Sequence, residues 1–202
     1  MTELPRLRKS TSSHLTEPIV RLLVKTHVTP TTLTWLGFSI ALGAAAVIAT
    51  GHPFIAGFMV LAAGFFDMLD GALARHTEQV TSFGAVLDST LDRVSEAVLL
   101  LGILLFYLFL GNHSTIGILL VCLALVASPL VGYIRARAEA IGLECQVGLF
   151  TRAERVIALA VGLLLSRIVD YALIIALAII VVFSFVTAGQ RLRYVWQRTK
   201  TR

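Results

Sequence analysis

The chain has 202 residues, of which 57% are hydrophobic and 14% charged, with a mean hydropathy of +0.86 and a formal net charge of +5. Soluble domains carry charge on roughly a quarter of their residues, so this composition excludes an ordinary water-soluble fold and points to a bilayer. The basic balance suits anionic headgroups and phosphates, and because aromatic residues do not interleave with the basic ones in a soluble platform, nucleic acid is not an expected partner.

Residues 1–13 are polar and basic and lack the apolar core of a removable signal, so the expectation is that they are retained. Residues 15–28 carry Leu15, Ile19, Leu22 and Leu23 on one side and Arg21 and Lys25 elsewhere, the pattern of an amphipathic helix in the interface plane. Beyond them, six segments reach or approach the about 20 residues that span a bilayer: 32–50, 53–75, 82–110, 114–137, 151–167 and 170–189. The predicted fold is therefore all-α, a polytopic membrane protein with six transmembrane helices preceded by an interfacial amphipathic helix. Residues 1–29 form its cytoplasmic N-terminal segment and 30–202 its single six-helix domain.

Short loops rich in Lys and Arg stay cytoplasmic. The turns near Gly51 and Gly111 have none, whereas Arg75, Arg135, Arg137, Arg152, Arg155, Arg191, Arg193 and the basic N-terminal residues collect at the other ends. Both termini and the turns after the second and fourth helices are thus expected on the cytoplasmic face of a cell membrane, with Trp35 and Trp196 near that interface. Cys122 and Cys145 are too few and too differently placed for a disulfide framework or thiolate metal site, and read as structural.

The second segment ends Asp67-Met68-Leu69-Asp70-Gly71-Ala72-Leu73-Ala74-Arg75, and the third opens Gly84-Ala85-Val86-Leu87-Asp88-Ser89-Thr90-Leu91-Asp92. The first pair of acids is spaced i, i+3 and the second i, i+4, so each pair shares a helix face and both pairs can converge across the short turn. A charge at the centre of a spanning helix costs roughly 2.5 to 3.5 kcal/mol. Four converging anions also repel, and Arg75 and Arg93 neutralise only part of them. A divalent cation resolves the conflict, and oxygen-only donors select Mg²⁺ or Mn²⁺. Gly71 and Gly84 remove side chains beside these acids and leave room for a ligand. Arg93 and Glu96, three apart, are expected to pair with each other.

Eight positions, Asp67-x-x-Asp70-Gly71-x-x-Ala74-Arg75 followed by Gly84-x-x-x-Asp88-x-x-x-Asp92, resemble the signature of the CDP-alcohol phosphatidyltransferase family. The resemblance implies that Asp67, Asp70 and Asp88 hold two metal ions, that Asp92 joins the second, and that Asp92 is also the general base. It implies too that Gly71, Arg75 and Thr81 contact the donor, CDP-diacylglycerol, with Thr31 and Thr32 of the segment Pro30-Thr31-Thr32-Leu33-Thr34, where Thr31 stands for the family's Asn. The bare reading of that segment is a capped helix start.

Tyr133-Ile134-Arg135-Ala136-Arg137-Ala138-Glu139 and Thr151-Arg152-Ala153-Glu154-Arg155 add arginines, whose planar forks suit phosphate. Topology alone also explains basic residues there. Their spacing is similar to the branch making phosphatidylinositol phosphate from inositol 1-phosphate, with Gly132 for Ser, Arg135 for Lys and Thr151 for Glu. The expected function is transfer of the phosphatidyl group to a phosphorylated alcohol, with Arg135, Arg137, Arg152 and Arg155 on the acceptor phosphate and CMP released. Glycerol 3-phosphate is the alternative acceptor. A cation transporter lined by carboxylates is the alternative class, disfavoured because the acids gather at one side. The resemblance also implies a homodimer among membrane lipids.

Overall fold

The computed structural model describes residues 17, 19–20, 22–24, 28–110 and 113–200. The expectations for Leu15, Arg21, Lys25 and the first sixteen residues lie outside them. Six helices follow in order: α1 (Pro30–Ala49), α2 (Pro53–His76), α3 (Ser82–Phe109), α4 (Thr115–Ala140), α5 (Arg152–Leu165) and α6 (Ala172–Thr199).

Most helix starts are written in local chemistry. Thr29 caps α1, its Oγ1 accepting from Thr32 N at 3.3 Å with Pro30 in the first turn. Thr81 Oγ1 accepts from Gly84 N at 3.0 Å to open α3, and Ser114 Oγ from Gly117 N at 3.2 Å to open α4. At α5, Thr151 N donates to Glu154 Oε2 at 2.7 Å.

α1 packs on α2 and α3, α2 on α5, α5 on α6, α6 on α4, and α4 on α3, so the helices close around a core of Ile48, Ile103, Val121, Leu163 and Leu177. The approach of α1 to α3 is close enough that a Cβ on Gly102 would sit 2.5 Å from Ala45 O, the kind of small-residue contact that lets backbones meet in lipid. Outward positions are apolar as well: Leu42, Ile55, Phe58, Leu119, Ile157 and Val182 are all exposed. A helix apolar on every side has hydrocarbon, not water, as its outer solvent.

Four helices, α1, α2, α4 and α6, are long and apolar enough to cross a membrane. The 28-residue α3 differs because its first fifteen residues carry Asp88, Asp92, Arg93 and Glu96. The 14-residue α5 rises about 21 Å, short of the roughly 30 Å hydrocarbon thickness. Two helices run further than the hydropathy pattern ends: α4 to Ala140 and α6 to Thr199. Arg191, Arg193 and Arg198, beyond the expected end at 189, therefore stand on a helix, because an α-helix continues into the interface once its charged heads reach water.

Ahead of α1, positions 17, 19, 20, 22 and 23 are helical. Val20 is buried with Leu33, Leu69 and Leu73, and Ile19 and Leu23 pack beside it. Leu22, expected on the same apolar side as Ile19, is instead 65% exposed.

Candidate active site and metal centre

The α2–α3 hairpin turns through residues 77–81, so the last turns of α2 face the first turns of α3. Oxygens of Asp67, Asp70 and Asp88 come within 4.8 Å of one another. Asp70 is 4% exposed and its Oδ2 has no hydrogen-bond partner. A buried, unpartnered carboxylate oxygen is expensive unless a cation faces it, and three hard oxygen donors at this separation fit a divalent ion. Thr34 of α1, its hydroxyl donating to Pro30 O at 3.1 Å, stands beside Asp70.

Asp92 is engaged differently. Arg152 Nη2 lies 2.8 Å from Asp92 Oδ1, and Nη1 of the same guanidinium donates to Asp67 Oδ2, so Arg152 bridges the two helices. One turn along α3, Glu96 accepts from Arg155 Nε at 2.6 Å and Nη2 at 2.8 Å, while Arg155 Nη1 has no partner although the residue is only 6% exposed. This corrects the expected Arg93–Glu96 pair. Arg93 instead donates to Ser89 O at 2.7 Å and lies across α4, where a Cβ on Gly132 would meet its Nη2 at 3.1 Å. Gly132, which stands where the branch pattern has Ser, thus makes room for Arg93.

A cavity of about 40 Å³ opens among Thr34, Asp67, Asp92, Glu96, Arg152 and Arg155 and continues between apolar side chains of α1, α3 and α6. It takes Thr34 but neither Thr31 nor Thr32. Thr32 belongs to the cap, its Oγ1 lying 2.8 Å from Thr29 Oγ1, and Thr31 is exposed. Over Gly71 the Arg75 guanidinium folds back, Nη1 3.3 Å from where a Cβ would be. At Gly84 the room is taken by the Thr81 cap, 2.9 Å from a built Cβ, so this glycine serves the helix start and not a ligand.

The four arginines expected together separate. Arg152 and Arg155 line the cavity. Arg135 pairs with Glu139 one turn on, Nε to Oε1 2.8 Å, and lies close enough to the buried Arg191 to act on it electrostatically, as does Arg155. Arg137 lines a separate groove of about 300 Å³ with Tyr133, Ile141, Leu192 and Val195 between the ends of α4 and α6.

Four convergent acids on an apolar helical hairpin, faced by guanidinium groups, narrow the comparison to known proteins. The sequence profile of the CDP-alcohol phosphatidyltransferases matches residues 27–188. The chain belongs to the CDP-alcohol phosphatidyltransferase family. Among relatives, it is 39% identical to archaetidylinositol phosphate synthase of Methanothermobacter thermautotrophicus over 169 residues, covering 83% of each chain. It is 37% identical to phosphatidylinositol phosphate synthase of Mycobacteroides abscessus over 193 residues, covering 94% of this chain and 87% of that one. The crystal structure of Mycobacterium tuberculosis phosphatidylinositol phosphate synthase with CDP-DAG bound superposes with a TM-score of 0.82 at 35% identity, covering 91% of this chain and 94% of that one. The same synthase in complex with manganese and citrate also gives 0.82, at 35% identity, covering 90% and 88%.

Within this family member, reading the sequence alone missed Glu96 and Thr34. Both carried a signal. Glu96 continues the Asp88–Asp92 face by another four residues, and Thr34 falls four residues after the helix-opening Pro30.

Proposed function

We propose that this family member transfers the phosphatidyl group of CDP-diacylglycerol to the hydroxyl of a phosphorylated alcohol, inositol 1-phosphate first, releasing CMP. The observation that carries the reading is the convergence of Asp67, Asp70 and Asp88, with the buried Asp70 Oδ2 unpartnered, beside a cavity that Asp67 and Asp92 line together with Arg152 and Arg155. Anionic ligands on one wall suit a cation and the cationic wall suits a phosphate. It is supported too by the relatives, which include phosphatidylinositol phosphate synthases.

Asp67, Asp70, Asp88 and Asp92 would hold two Mg²⁺ ions, or Mn²⁺. Bound there, divalent metal supplies charge to the donor diphosphate and to the leaving CMP. In the reaction the acceptor oxygen forms a bond to the lipid-bearing phosphorus as the bond from that phosphorus to the CMP oxygen breaks. Asp92 takes the acceptor's proton, and its pairing with Arg152 holds its carboxylate at the cavity wall. Gly71, Arg75 and Thr81, at the turn end of the hairpin, would receive the cytidine diphosphate together with Thr31 and Thr32. Arg152, Arg155 and Arg135 would receive the acceptor phosphate.

We further read residues 30–202 as one domain of six membrane crossings, residues 1–29 as its cytoplasmic segment with the interfacial helix, and both termini and the acid site as cytoplasmic. Exposed Trp35 and Trp196 suit belt residues at a membrane interface, and the excess of basic residues at the acid end supports the cytoplasmic orientation. The homodimer expected for the family is checked by native mass spectrometry of the purified protein.

The deciding experiment gives the purified chain CDP-diacylglycerol and Mg²⁺ and compares CMP release with inositol 1-phosphate, glycerol 3-phosphate, inositol and serine. Release should be highest with inositol 1-phosphate and vanish with chelator. Preference for an unphosphorylated alcohol would overturn the acceptor, and full activity in excess chelator the metal reading. Glycerol 3-phosphate is kept as second reading because the arginine wall recognises phosphate, which both acceptors share.

A further inference from the structure

Between α4 and α5 the chain crosses residues 141–151, and its last part lies along α6. Val147 O accepts from Arg191 Nε at 2.8 Å, Leu149 N donates to Gln190 Oε1 at 3.3 Å, and Phe150 N donates to Thr187 Oγ1 at 3.1 Å. The Phe150 ring then meets Phe183, centroids 5.5 Å apart. Residues 183, 187, 190 and 191 share one face of α6, so these contacts form a continuous track. Arg191 also donates to Val131 O of α4 at 2.5 Å, which ties the track to a third element.

Gly148 shows how tightly the track is fitted. Its φ is +139°, and a Cβ there would sit 2.6 Å from Thr187 Cγ2 and 3.3 Å from Arg191 Nε. Both backbone conformation and space exclude a side chain.

The track ends where the site begins. Phe150 is followed directly by Thr151, the first residue of the α5 start, and then by Arg152 on Asp67 and Asp92. Arg155 stands one turn further. Leu149 and Phe150 offer two backbone N–H groups that no helix or strand satisfies, and α6 side chains satisfy both.

We infer that Thr187 and Gln190 are positioning residues: they latch Leu149 and Phe150 to α6 and so fix where Arg152 and Arg155 stand against the acids. The inference rests on the proposed role of those arginines on the acceptor side. It needs no particular acceptor, only that the cationic wall serves the acceptor and not the donor.

The test uses the full chain in lipid nanodiscs with Thr187→Val plus Gln190→Leu, which keep shape and remove both acceptors of hydrogen bonds. Hydrogen exchange at the Leu149 and Phe150 amides should quicken at least about tenfold, with exchange in the spans of α1 and α2 unchanged. CMP release, measured with whichever alcohol the wild type turns over best, should show an acceptor KM raised about three- to tenfold while the KM for CDP-diacylglycerol stays put. Thr187→Ser with Gln190 intact, which keeps the hydroxyl, should restore both readouts to wild-type values. Unchanged amide exchange, an unchanged acceptor KM, equal rises in both KM values, or no recovery with Thr187→Ser would each overturn the latch. Failure of the acceptor assignment is read separately, from the wild type preferring an unphosphorylated alcohol.

Discussion

The four acids are carried by two consecutive helices joined by residues 77–81, whereas the arginine that bridges two of them, Arg152, is 85 residues from Asp67 in sequence. On the acidic wall, spacing within a helix decides which side chains share a face, and one short turn decides that the two faces meet. On the cationic wall neither device operates. Arg152 and Arg155 reach the acids because α5 packs on α2 and because residues 147–150 are fastened to α6. A motif can therefore announce the acidic wall, while the cationic wall is assembled by packing among four helices.

The largest effects are expected where the acids converge. Asp88→Asn removes one oxygen donor from the three-carboxylate group and should lower CMP release by at least about a thousandfold, since metal-centred charge stabilisation is worth several kcal/mol. Mn²⁺ binding followed by electron paramagnetic resonance should weaken in parallel. A variant that kept wild-type turnover would mean that the hairpin acids do not act as one centre. Next in size is Asp92→Asn, which keeps an oxygen beside Arg152 but cannot take a proton. Turnover should fall by about a hundredfold with donor binding largely retained. Normal turnover in a variant that binds donor would remove Asp92 as the base.

Arg152 tests the opposite wall and gives two readouts of opposite direction. Arg152→Ala should raise the acceptor KM about ten- to a hundredfold, the loss of charge-assisted hydrogen bonds worth roughly 1.5 to 3 kcal/mol. Mn²⁺ binding should hold or tighten, because a cation bound to Asp67 and Asp92 has been removed. Weaker Mn²⁺ binding would instead show that Arg152 serves the acidic wall by holding its carboxylates in place.

The same contrast explains what the sequence made legible. Hydropathy located the start of every one of the six helices within a few residues, and the end of each but α6, and the spacing of Asp67, Asp70, Asp88 and Asp92 foretold their convergence. The end of α6 beyond its apolar run was lost because charged residues at an interface look like loop in a hydropathy pattern, as at Arg191 and Arg193. Glu96 was assigned to Arg93 on an i, i+3 rule that holds for exposed helix faces. Burial reversed it, since Arg155 from α5 offers two aligned donors at 2.6 and 2.8 Å and Arg93 turns to a carbonyl of its own helix. No short-range pattern contains that choice, because the partner is 59 residues away. The arrangement at Gly132 is equally tertiary: its neighbour is a side chain from α3.

The smallest expected effect separates two arginines that sequence treats as equivalent. Arg135 and Arg137 lie two apart on α4, and positions i and i+2 of a helix point to different sides. Arg135 and Arg155 both lie within electrostatic range of Arg191, which makes Arg135 the arginine of α4 to test against the cationic wall. Arg137 faces the outer groove with Leu192 and Val195. Arg135→Ala should raise the acceptor KM by about three- to tenfold, less than Arg152→Ala because its Glu139 partner already spends part of its charge in an exposed pair. Arg137→Ala should leave the acceptor KM within about twofold of wild type, as expected for a surface change outside the site. Kinetics with inositol 1-phosphate at saturating CDP-diacylglycerol distinguish the two directly. If Arg137→Ala matched Arg135→Ala, the acceptor would be read by the whole basic end of α4 and the division of the arginines by helix face would be wrong. If neither variant moved the acceptor KM, the acceptor phosphate would be held by α5 alone, and the basic residues of α4 would serve orientation in the membrane.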